Sequence, residues 1–201
     1  MGVILEETIY NDMTDSMERN KKQQEYYDYI VDHIANVHKA YELYFIPLLS
    51  RKHISDIISD EEFRDAIISA KEDIDKHDAS KFGEDEFDPY RERFYPTREE
   101  QINDDNDYET FIHDRFEQAW IHHYTNNNHH PMYWVNKETG EIRDMTLRAI
   151  VHMICDWEAM SMAMGTNTID WFQNKADKEK EAMSPNTLKL VNEILLHIIH
   201  S

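Results

Sequence analysis

Apolar residues return every three or four positions through residues 15–50. Tyr27, Ile30, Val31, Ile34, Val37, Tyr41, Tyr44 and Leu48 fall on one broad stripe, which predicts a long amphipathic helix. A second helix is predicted from Ser59 or Asp60, with Glu62 in its first turn. It runs through Phe63, Ala66, Ile67, Ala70 and Ile74 to His77 and Asp78. A third covers residues 108–124 and places Ile112, Phe116, Ala119, Trp120 and His123 on one face, with Asn126 to end it. A fourth covers residues 145–164. Ser184 before Pro185 marks a last helix start, and Leu188, Val191, Leu195 and Ile198 form its apolar stripe. Between these, residues 83–96 are acidic and aromatic, residues 99–107 read as an exposed acidic loop, and residues 137–144 as a surface turn around Gly140. Residues 1–14 show no clear period and read as a flexible arm, leaving 15–201 as a single domain. The expected class is all-α, a helical bundle.

Composition agrees with that class. Four Gly and five Pro in 201 residues are too few for a turn-rich β fold, and 40% hydrophobic residues suffice for a core. The formal charge is 21 − 41 = −20, a surface that repels phosphate backbones, so no nucleic-acid partner is expected. Cys155 is the only cysteine, which rules out an internal disulfide and fits a reducing compartment. No stretch approaches the length of a membrane span and no leader pattern opens the chain, so the expected location is cytoplasmic with no membrane partner. Twelve His are present, four of them between positions 122 and 130.

The candidate chemistry centres on Lys76-His77-Asp78-Ala79-Ser80-Lys81-Phe82. His77 follows Ile74 by three residues and should point into the core with it. His33 lies between Ile30 and Val37 on the first helix. His38, five residues further, cannot reach the same point on a regular helix. Asp156 sits on the fourth helix, one turn after His152, which reads as a residue orienting a ligand. Imidazole nitrogen and carboxylate oxygen together suit a divalent transition metal: Mn, Fe, Co, Ni or Zn, as one ion or two. Two readings compete for the second His cluster. One is a second ion held by His123 and His130. The other is a wall around a phosphate, with His122 and His129 facing substrate. Lys81 and Arg91 are the cations that sequence best offers to a phosphate. Cys155 reads as buried and inert, and Met160, Met162 and Met164 as core.

The order His33, then His77-Asp78, then Asp156 resembles the HD-domain superfamily of helical metal-dependent phosphohydrolases. His77-Asp78-Ala79-Ser80-Lys81 further resembles the His-Asp-x-Gly-Lys variant of its cyclic-dinucleotide phosphodiesterases. Ser80 replaces that Gly and the Gly-Tyr-Pro signature is absent, so that substrate is not carried over. A closer resemblance is to an uncharacterised bacterial and phage family, a domain of unknown function. It is carried by His33-x-x-Asn36-Val37, by His77 to Tyr90, by Ala119 to Trp134, and by Cys155-Asp156-Trp157-x-Ala159-Met160.

The HD resemblance implies a bundle with His33, His77, Asp78 and Asp156 as metal ligands and Asp78 able to bridge two ions. It implies hydrolysis of a nucleotide or other small phosphorylated substrate, with Asp78 and Lys81 as catalytic residues. The placement of Lys81, Arg91, His122 and His129 in the sequence makes them the expected phosphate contacts. Two rivals use the same residues. One is an HD-type di-iron oxygenase; the other is a non-enzymatic interaction protein stabilised by its metal.

Overall fold

Helix α1 (Gly2–Ala40) opens a chain that is helical almost throughout. The computed structural model describes residues 2–51, 57–101 and 106–199. Among them every regular element is helical, and the extended structure is limited to a bridge between Val135 and Ile142. The chain is all-α. No helix of the described residues is long and apolar enough to cross a membrane.

The backbone forms two units, one of Met1–Val31 with Ala79–His123 and one of Asp32–Asp78 with Tyr124–Ser201. Helical backbone begins at Gly2, within the stretch expected to be an arm. The buried face of α1 carries Tyr26, Ile30, His33, Val37 and Ala40, spaced by three and four. This corrects the expected stripe: Tyr27 and Val31 are exposed. Each lies one residue, about 100°, beyond the buried line.

In the first unit a short 3-10 turn (Ala79–Phe82) leads to α3 (Phe87–Phe94), α4 (Arg98–Gln101) and the start of α5 (Asn106–Asn126). Its core is aromatic. The Tyr26 ring lies 5.1 Å from Phe87 and 5.6 Å from Tyr95, and Phe116 lies 5.1 Å from Tyr90 and 5.2 Å from Phe94. Helix α4 replaces part of the expected loop over 99–107, of which residues 102–105 lie outside the described set. Its cause is a capping box. Glu100 N donates to Thr97 Oγ1 at 3.3 Å, and Thr97 N donates back to Glu100 Oε2 at 2.7 Å.

The second unit continues α1 into a π turn (Tyr41–Phe45) and a 3-10 turn (Ile46–Ser50), where Pro47 lacks the N–H that α geometry needs. Helix α2 (Asp60–Ile74) is started by Ser59, whose hydroxyl accepts from Glu62 N at 3.2 Å. It buries Phe63, Ala66, Ile67, Ala70 and Ile74, each large aliphatic worth about 1.5–3 kcal/mol. Its partner is α6 (Leu147–Met164), capped by Thr146 and closed by Gly165 at φ 64°. Helix α6 is apolar around most of its circumference, as a central helix must be. Helices α7 (Thr168–Lys175), α8 (Asp177–Glu181) and α9 (Pro185–Ile199) complete the unit. Asn167 caps α7 through Ile169 N and Asp170 N, and Ser184 caps α9 by accepting from Thr187 N at 3.1 Å.

Candidate metal centre

Three backbone segments of the second unit deliver polar side chains to one buried point. Helix α1 presents His33 from its core stripe. Helix α2 ends at Ile74, and a turn closed by His77 N to Ile74 O at 3.1 Å keeps His77 on the inner side. Asp78 then adopts φ 54°, the left-handed region. Asp tolerates it better than most residues, but the conformation still carries a cost, and such costs gather at functional sites. Helix α6 presents His152 and Asp156, one turn apart.

The distances are those of donors around one ion. His33 Nε2 lies 3.0 Å from His77 Nε2, 3.0 Å from Asp156 Oδ1 and 3.8 Å from Asp78 Oδ2. His77 Nε2 lies 3.4 Å from Asp78 Oδ2 and 3.7 Å from Asp156 Oδ1. Four ligands at about 2.1 Å from a tetrahedral metal stand about 3.4 Å apart, and cis ligands of an octahedron about 3.0 Å apart. One N–H cannot serve two nitrogens and two carboxylates at once, whereas one cation can. The residues present therefore fit a divalent transition metal and can hold one.

The electrostatics favour the same use. Burial pushes His77 down to about 3, against the opposing pull of Asp78 and Asp156. Burial also lowers His152 and His129, so all three rings are neutral and offer a lone pair. Burial works against ionisation of Asp156, yet the hydrogen bond and charge of His33 hold its carboxyl well below the usual range. His77 turns its other nitrogen, Nδ1, to His152 Nε2 at 2.8 Å. That contact fixes which nitrogen of His77 faces the donor cluster.

A model described as a family of unknown function, DUF5662, matches residues 22–197. The chain belongs to that family. No curated protein and no solved structure gives a significant match. Among the motifs of this DUF5662 chain, His33, His77, Asp78, His129, His130, His152 and Asp156 lie in the second unit. A ligand atom from each of Asp78, His129 and His130 lies within 4.8 Å of the others. The same holds for His77, His129 and His152.

The sequence places His130 inward and His129 toward substrate; of the two, His129 is the more buried ring and His130 is partly covered. The turn closed by His130 N to Asn127 O keeps the two rings on the same side, with centroids 4.2 Å apart. Strand-like divergence of neighbours does not apply there.

The remaining candidates belong to the first unit. Lys81 is partly buried, with its ammonium 5.6 Å from the Tyr90 ring centre. Arg91 is buried and its guanidinium grips Glu100 at 2.5 and 2.9 Å, which makes it an internal ion pair of this unit. Of the α5 pair, His123 is buried and His122 half-exposed, as the helical face predicts. Both contact Glu86, a fully buried carboxylate that the sequence reading did not single out. The only signal for it was its place in the Glu86-Phe87-x-Pro89-Tyr90 motif.

Proposed function

We propose that this chain is a metal-dependent phosphohydrolase acting on a nucleotide or other small phosphorylated molecule. The observation that carries the reading is the convergence of His33 Nε2, His77 Nε2, Asp78 Oδ2 and Asp156 Oδ1 within 3.8 Å along each contact described. Their order along the chain is the one that resembles the HD superfamily. A divalent ion held there would supply acidification of water and neutralisation of charge on a phosphoryl oxygen.

The chain's own residues supply the rest. His33 and His77 would offer Nε2 to that ion, and His152 keeps the His77 ring in one orientation. Asp78 contributes charge from a backbone geometry fixed by the turn after α2. Asp156 is the least buried of the four, with 15% of its side chain exposed.

The test is phosphate release from a panel of phosphate esters in Mn, Co or Ni buffer, with dissolved oxygen recorded in parallel. Metal-dependent release that Asp78→Ala abolishes, with oxygen unchanged, is the expected result. Turnover that requires Fe(II) and consumes oxygen would replace hydrolysis with oxygenation.

A further inference from the structure

Asp73 and Arg148 join the two helices that lead to His77 and His152. Asp73 lies in the last turn of α2 and Arg148 in the first turn of α6. The guanidinium grips the carboxylate as a fork: Nε donates to Asp73 Oδ2 and Nη2 donates to Asp73 Oδ1. Nη2 also reaches Glu72 Oε2 at 3.5 Å. Two contacts between planar groups fix a direction as well as a distance, which one contact does not. All of these residues, with His77 and His152, belong to the second unit.

Neither helix gains from its own member of the pair. A carboxylate in a last turn and a cation in a first turn both oppose the helix dipole. Both side chains are partly exposed, and such pairs add little stability by themselves. What the fork supplies is alignment of α2 with α6. On α6, His152 follows Arg148 by one turn and shares its face. On α2, the Asp73 carbonyl accepts from Lys76 N at 3.1 Å, within the turn that presents His77. The buried contact of His77 Nδ1 with His152 Nε2, at 2.8 Å, therefore lies four positions beyond the fork on both segments.

We propose that Arg148, through its fork on Asp73, is a positioning residue that holds His77 against His152 and so sets the direction in which His77 Nε2 faces its ion. The proposal rests on the metal-dependent reading for the ion alone; the fork and the histidine contact stand without it.

Arg148→Met removes the fork and keeps an unbranched stem. Arg148→Lys keeps the charge, offers one point contact in place of two, and serves where Arg148→Met does not fold. Each is made alone and together with His152→Phe in the full-length chain. Exchange of the ring proton between His77 and His152, identified by its loss in His152→Phe, is followed by proton NMR in chelator. Co(II) is then titrated in by visible absorption. Expected are ring-proton exchange faster by about 3- to 10-fold, Co(II) affinity lower by up to about 10-fold, and a changed Co(II) spectrum. With His152→Phe present, the Arg148 substitutions should lower affinity no further. A pair that serves stability alone would shift the urea midpoint and leave Co(II) affinity and spectrum unchanged, and that result overturns the proposal. Additive losses in the double variants overturn it too. A wild-type chain that binds no Co(II) contradicts the metal-dependent reading, and the chelator measurement still decides the fork: unchanged exchange, or no protected ring proton in the wild type, overturns it.

Discussion

His77 Nδ1 lies 2.8 Å from His152 Nε2, while the other nitrogen of His77 lies 3.0 Å from His33 Nε2. If His77 binds a metal through Nε2, its proton sits on Nδ1 and is donated to His152. His152→Phe keeps a ring of similar size and removes that acceptor. Metal affinity should fall by about 10- to 100-fold in a chelator competition. Equal affinity would show that His152 is packing alone.

Asp78 holds a left-handed backbone. Asn tolerates that region and Ala does not, while both remove the charge. In chelator, Asp78→Asn should be more stable than Asp78→Ala by about 1 kcal/mol in urea unfolding. Both should lose metal. Equal stabilities would mean that the backbone at this position is not strained in solution.

The metal-free chain should be acid-sensitive. His77, His129 and His152 have folded pKa values pushed down by burial. Below an unfolded value of about 6.5 the unfolded chain binds more protons, so stability is full above that pH and is lost as pH falls. The slope is about 1.4 kcal/mol per pH unit for each such histidine. Asp156, also depressed, adds a second loss below about pH 4, in the same direction. Urea midpoints in chelator should be flat between about pH 7 and 8 and fall toward pH 4. A midpoint that rises on acidification would contradict this.

Arg91 is buried and pairs with the part-buried Glu100 inside the first unit. Arg91→Met leaves that carboxylate without its charge partner and should cost about 1–3 kcal/mol of stability. Metal content should not change. A stable variant with a raised Michaelis constant would return Arg91 to the substrate.

Much of this was legible in the sequence, and the reasons differ by element. Helices α2 and α6 bury continuous apolar faces, so their extent and the inward turn of His77 could be read from spacing. Helix α1 was readable as a helix, but with aromatics at both 26 and 27 the line of burial was placed one residue off. Helix α3 is charged along its length, and Tyr90 is held by contacts with Tyr26 and Phe116, residues far away in sequence. The Thr97–Glu100 capping box was present in the sequence and would have marked α4. Glu86 could not be found from local pattern, because its partners lie 36 and 37 positions away. The choice between His129 and His130 depended on a turn whose geometry neither residue encodes.

His33, His77, Asp78 and Asp156 are proposed to hold a metal. Elemental analysis of the chain purified without oxygen, beside Asp156→Ala prepared in the same way, tests it most directly. At least one transition-metal ion per wild-type chain, lost from Asp156→Ala, is the expected result. A folded wild-type chain that carries no metal, and takes up none when dialysed against Mn, Fe, Co, Ni or Zn, would contradict it.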